Sequence, residues 1–161
     1  MFKIKNDFNN YNKIIMNELN AKHIKILLVE DDDVDYLTVQ KAFEACNIIN
    51  ELIRVTNGEE ACDLILSKKL DFVSYVILLD LNMPKMNGIE FLEWLRNDAP
   101  ESHRNTSVVV LTTSGDPFDK KESFNYCISG YIIKPVDTNQ FVHSMSILGK
   151  YWAICELPEN K

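Results

Sequence analysis

The side chains that could do chemistry are acidic, with one lysine and one hydroxyl among them, and they share a setting. Glu30 and Asp31 follow the run IKILLV (24–29), Asp80 follows YVILL (75–79), Thr112 follows VVVL (108–111) and Lys134 follows YII (131–133). Uninterrupted apolar runs of this length suit strands buried on both faces, as in a parallel sheet covered by helices. In such sheets ligands gather just beyond the carboxyl ends of the strands. The three carboxylates, the hydroxyl and the ammonium therefore belong to one sheet edge. Crowded carboxylates raise one another's pKa unless a cation sits among them. A hard divalent ion with oxygen ligands, Mg²⁺ above all, meets that need. With the metal, Lys134 would offset charge building on a transferring phosphoryl group. A carboxylate acting as nucleophile gives an aspartyl phosphate, and Thr112 can donate a hydrogen bond to it.

Bland roles exist for each residue: Asp80 as a turn-capping Asp, Thr112 as an idle strand-end hydroxyl, Lys134 as a surface lysine. Glu30 to Asp33 could simply complement a helix dipole, and for Asp32 and Asp33 that is the expected role. The joint placement at four strand ends favours chemistry.

The elements that must position these groups follow a β-α repeat, five times over. Val34, Leu37, Thr38, Lys41 and Ala42 recur at helical spacing behind Asp33, the expected N-cap. Leu52–Thr56 is a second strand and Asn57-Gly58 a turn, and Ala61, Leu64 and Ile65 begin a second helical stripe. Ile89, Leu92 and Leu95 mark a third helix ending near Asn97, before Pro100. Asp116-Pro117 opens a fourth, as N-cap and first-turn proline. A fifth runs from about Thr138 to Ile154. Right-handed crossovers then give an α/β fold, a doubly wound (βα)5 five-stranded parallel sheet in the flavodoxin-like order 2-1-3-4-5.

At 161 residues the chain is one domain's worth. Residues 1–22 are read as a poorly ordered arm, 23–157 as the domain and 158–161 as a tail; Met16 is an alternative start to Met1. The net charge of −7, with no Lys/Arg-rich run, speaks against nucleic-acid binding. No apolar run approaches the ~20 residues that span a bilayer. Cys46, Cys62, Cys127 and Cys155 lack the spacing of a zinc or redox pair. Cys62 and Cys127, within apolar helical patterns, are expected as buried thiols, in keeping with a cytoplasmic protein.

LLVEDD (27–32), LLDLNMPKMNGIEFL (78–92), VVVLTTS (108–114) and GYIIKP (130–135) together resemble the receiver domains of two-component response regulators. VVLTTS and the tail YWAICELP are similar to the stand-alone receivers associated with phytochromes. The resemblance spans residues 24–155 or so. It implies a single-domain response regulator, a phosphoacceptor signalling protein rather than an enzyme on other substrates. Its partner would be a sensor histidine kinase or phosphotransfer protein. Asp80 would take the phosphoryl group. Asp31, Asp80 and the backbone carbonyl of Asn82 would bind Mg²⁺, with Glu30 acting through water. Lys134 would pair with Asp80 and then with the phosphate. Thr112 and Tyr131 would be the switch pair, Tyr131 rotating inward behind Thr112, and the bond before Pro135 would be cis. The sequence departs at Thr113, where a smaller residue is usual, and at Cys127, where a helix-ending Gly is common. Ser114 and Asn82 flank the site where phosphate lifetime is tuned.

Rival readings are weaker. A haloacid-dehalogenase-like phosphatase needs a second Asp two residues after the nucleophile, where this chain has Asn82. A phosphorylation-independent adaptor would keep the same pocket. A DNA-binding regulator would need an output domain after the last helix. In that helix Phe141, Met145, Leu148 and Trp152 form one stripe and Ile147, Tyr151 and Ile154 another. One stripe covers the sheet. The surplus suggests homodimerisation or a downstream protein on the face made by the fourth helix, fifth strand and last helix.

Overall fold

The computed structural model describes residues 10, 11, 13–15, 17, 24–70 and 73–157. Most of the expected arm, and the tail, lie outside the described residues. Five strands, β1 (Lys25–Val29), β2 (Leu52–Val55), β3 (Tyr75–Leu79), β4 (Val108–Thr112) and β5 (Gly130–Ile133), pair in parallel in the order 2-1-3-4-5. Helices α1 (Asp33–Ala45), α2 (Gly58–Leu66), α3 (Gly88–Asn97), α4 (Pro117–Asn125) and α5 (Thr138–Ile154) connect and follow them. The predicted architecture and strand order are those observed.

The period of two along each strand sorts the core into two layers. Ile26, Leu28, Val76, Leu78, Val109 and Leu111 point to one side and meet α1 and α5. Leu27, Val29, Ile77, Leu79, Val108 and Val110 point to the other and meet α2 and α3. Every residue of β3 and β4 is buried, which is why those runs carry no charge. In α5, Phe141, Met145, Leu148 and Trp152 are buried while Ile147, Tyr151 and Ile154 stand exposed, so the helix separates into the two stripes read from its sequence.

Five local expectations are corrected. The N-cap of α1 is Asp32, one residue before the expected Asp33; its carboxylate accepts from the Val34 and Asp35 N–H groups. The buried stripe of α1 is Val39, Ala42 and Phe43, and Val34 and Leu37 face outward. β2 ends at Val55 and β5 begins at Gly130, each one residue earlier than expected. Cys62 is buried as expected, but Cys127 is exposed: it lies past the end of α4 with φ 53°. That is the left-handed cap position a glycine would fill more cheaply.

Candidate functional site

All four strand ends converge as the sequence implied. Glu30 and Asp31 follow β1, Asp80 follows β3, Thr112 closes β4 and Lys134 follows β5. The register makes this possible, since Val29 is level with Leu79 and Thr112 with Ile133. Asp80 is held at the edge by its own N–H, which donates to the Val29 carbonyl (3.0 Å).

The turn after Asp80 is built to keep its carboxylate in place. Its Oδ1 accepts from the Leu81 N–H at 2.8 Å. Gly88 N–H then closes the turn onto the Leu81 carbonyl (3.0 Å). A Cβ at Gly88 would lie 2.5 Å from the Asp80 carbonyl oxygen and 2.7 Å from the Leu81 Cα. Both are backbone atoms that cannot step aside, so only glycine fits there. Asn87 caps α3 through a reciprocal box with Glu90. The turn also contains Lys85 at φ 65°.

Glu30, Asp31 and Asp80 each offer a carboxylate oxygen within 4.8 Å of the others. Glu30 and Asp80 are buried, while Asp31 is exposed. Three hard oxygen donors so close are a cation-binding set, and Mg²⁺ or Mn²⁺ fits it. Asn82 and Asp31 share a cleft of about 590 Å³ in front of this set, with Met83, Phe118, Asp119 and Glu122.

Lys134 does not pair with Asp80 first. Its Nζ donates to Glu30 Oε2 and to Asp35 Oδ2, both at 2.6 Å, and stands 3.7 Å from Asp80 Oδ2. Burial pulls the ammonium down, but the bonds to Asp35 and Glu30 and the charge of Asp80 more than offset it and hold its pKa above the usual value. Burial pushes the Glu30 carboxyl up to about 7 against the pull of Lys134. A cation among the carboxylates would draw Glu30 back toward its ionised form. Arg54 fixes the same loop from β2, donating to the Glu30 and Asp31 carbonyls (3.0 and 2.9 Å) and to Asp33 Oδ1 (2.7 Å).

Asp35 and Arg54 are site residues that the sequence reading missed. EDDDVD shows an acidic run, but which acid turns back to the lysine depends on the rotation of α1, which the Asp32 cap sets. The peptide bond before Pro135 is trans, not cis as expected. Trans is the lower-energy form of an X-Pro bond, and cis persists only where tertiary contacts enforce it. Here Val136, the next residue, is fully exposed.

Thr112 is buried, and its Oγ1 accepts from the Ser114 N–H at 3.2 Å. Tyr131 is half-buried with its ring against the α2–α3 layer, and its hydroxyl donates to the Ser114 carbonyl at 3.0 Å. Thr113 and Asn82 are exposed at the rim.

Residues 26–146 match the family model of the response regulator receiver domain. The chain belongs to that family. The receiver is 30% identical over 129 residues to the probable methanogenesis regulatory protein FilR2 of Methanothrix harundinacea, across 79% of this chain and 82% of FilR2. It is similar to the phosphorylated cyanobacterial phytochrome response regulator RcpA, at 29% identity and TM-score 0.72, over 84% of this chain and 98% of RcpA. The Mn²⁺-bound response regulator Rcp1 is likewise 29% identical, with TM-score 0.70 over 84% and 98%. The receiver thus has a phosphoacceptor signalling role on a fold whose neighbours include stand-alone phytochrome-associated regulators. Receiver domains bind a divalent metal and take phosphoryl groups from histidine kinases or phosphotransfer proteins. Among the described residues no helix is long and apolar enough to cross a membrane.

Proposed function

We propose that this receiver takes a phosphoryl group from a sensor histidine kinase onto Asp80, in a Mg²⁺-dependent reaction in the cytoplasm, and passes the change to a protein-interaction face. The observation that carries the reading is the buried Asp80 carboxylate, with one oxygen tied to Leu81 N–H and the other 3.7 Å from the Lys134 ammonium. Oδ2 is the oxygen left to attack. It forms a bond to phosphorus as the P–N bond of a phosphohistidine breaks, and the imidazole leaves and takes a proton from water. Glu30, Asp31, Asp80 and the Asn82 carbonyl would hold the cation, Glu30 through a water. Mg²⁺ bound there supplies positive charge against the phosphoryl oxygens. Lys134 is already buried beside the reaction centre, so it stabilises the charge without rearranging. Thr112 has its proton free to donate to a phosphoryl oxygen, because Ser114 N–H takes only one of its acceptor positions.

The donor would approach over the exposed apolar residues Val34 and Leu37 of α1 and Val136 after β5. Lys134–Asp35 already ties those two segments together. On the far side of β5, which α5 runs beside, Ile147, Tyr151 and Ile154 are exposed. A 280 Å³ groove lined by Ile132, Ile147, Leu148 and Tyr151 lies between. This is the face we assign to a second copy or a downstream protein. Ile147→Ser should weaken self-association measured by sedimentation, with the core untouched.

The test of the phosphoacceptor reading is intact-protein mass after incubation with Mg²⁺ and acetyl phosphate. The expected result is a single-phosphate adduct that needs Mg²⁺ and is absent from Asp80→Asn. If neither acetyl phosphate nor a phosphorylated kinase gives an adduct, the chain is an adaptor and the proposal fails.

A further inference from the structure

Ser114 is a meeting point the phosphoacceptor chemistry does not by itself require. Its N–H donates to Thr112 Oγ1 (3.2 Å) and its carbonyl accepts from the Tyr131 hydroxyl (3.0 Å). Its own Oγ donates to Asp119 Oδ2 at 2.6 Å and accepts from the Asp116 N–H at 3.2 Å. Every polar group of this one residue is engaged, and two of its partners are the switch pair. The other two belong to the start of α4: Asp116 is its N-cap and Asp119 lies in its first turn.

Taking Asp80 as the phosphoacceptor and Thr112 and Tyr131 as the switch, we infer that Asp119 is a positioning residue: through Ser114 it locks the β4–α4 loop in the one arrangement that holds both switch side chains. The physical case rests on what each bond fixes. The charge-assisted Ser114–Asp119 bond is the shortest of the four and sets the side-chain rotamer of Ser114. With Oγ held by α4, the backbone of Ser114 is oriented so that its N–H faces Thr112 and its carbonyl faces Tyr131. The tyrosine is then kept as a neutral donor. Burial pushes its pKa up, the Ser114 bond opposes this, and the negative charges of Asp119, Asp116 and Asp80 add to the rise. Ser123 is the one residue buried along α4, and Arg96 holds only the chain past its far end, through the Tyr126 and Cys127 carbonyls (2.8 and 3.2 Å). A helix with so small a packed face depends on its capping bonds for its position. Phosphorylation at Asp80 that draws on Thr112 would therefore reach α4 and Tyr131 through the same serine.

The experiment uses the full chain carrying ¹⁹F-labelled tyrosine, with the Tyr131 resonance assigned by Tyr131→Phe. It is recorded before and after phosphorylation in wild type, Asp119→Ala, Asp119→Asn and Ser114→Ala. Losing a charge-assisted bond at a partly exposed site should shift the balance of Tyr131 positions by roughly fivefold. The expected result is therefore a displaced or split Tyr131 signal in Asp119→Ala and Ser114→Ala. Asp119→Asn should restore much of the wild-type signal, because an amide oxygen still accepts from Ser114. All three variants should still form a single-phosphate adduct that needs Mg²⁺, since Asp80 and its cation ligands are intact, while its lifetime can differ in Ser114→Ala and Asp119→Ala; loss of the adduct in wild type would instead defeat the phosphoacceptor reading. A Tyr131 signal identical in wild type, Asp119→Ala and Ser114→Ala, in both states, would overturn the inference.

Discussion

The two halves of the sheet edge are built to different standards. On one side β1 and β3 deliver Glu30, Asp31 and Asp80 from strands covered on both faces, with Val29, Ile77 and Leu79 fully buried. On the other side β5 is only half-buried, α4 buries just Ser123, and Phe118, Phe124 and Ile133 are exposed. Thr112 lies at the seam. The difference is what a switch needs. Metal binding and in-line transfer require groups fixed to a fraction of an ångström, while an element that moves on a signal must come from the low-stability end of the structure. The carboxylates stand on the rigid half, and Tyr131 and Ser114 on the loose one.

The comparison can be broken most forcefully in the core. Ile77→Ala should cost about 4 kcal/mol in urea unfolding, whereas Ile133→Ala on exposed β5 should stay within about 0.5 kcal/mol. Similar costs for the two would erase the distinction. Lys134→Ala removes the cation that bridges the halves and leaves Glu30 buried against Asp80 and Asp31. A loss of about 3 kcal/mol is expected in metal-free buffer, with part recovered on adding Mg²⁺, which supplies the missing charge. Thermal unfolding with and without Mg²⁺ measures both. The smallest effect sharpens the picture of the loose half. Cys127 holds φ 53° past α4, where its own carbonyl accepts from Arg96 Nη2 at 3.2 Å. Cys127→Gly should therefore stabilise the domain by about 1 kcal/mol, without changing phosphorylation.

The contrast also explains what the sequence disclosed. Strands β3 and β4 were legible because a fully buried parallel strand has no polar side to hide it, and the groups just past them share one edge by topology alone. The two stripes of α5 were legible because a 17-residue helix repeats its pattern several times. Helix α1 was not. The expected Val34, Leu37, Thr38, Lys41 and Ala42 and the observed Val39, Ala42 and Phe43 both keep helical spacing and share only Ala42, and packing against β1 and α5 chooses the second. That rotation also decides that Asp35, and not Asp32 or Asp33 at the start of the helix, joins Glu30 on Lys134. Arg54 was hidden for a related reason: its partners, two backbone carbonyls and the Asp33 carboxylate, lie 21 to 24 residues away, which no local pattern encodes. The trans bond before Pro135 depends on surroundings that motif spacing does not describe.

The most direct test of the central claim is amide hydrogen exchange on the phosphorylated and unphosphorylated protein, with Asp80→Asn given the same phosphodonor as control. The account predicts altered protection across residues 113–136, no change in the interiors of β1 and β3, and no response in Asp80→Asn. A phosphorylated protein whose exchange is unchanged in 113–136, or changes most in β1 and β3, would contradict it.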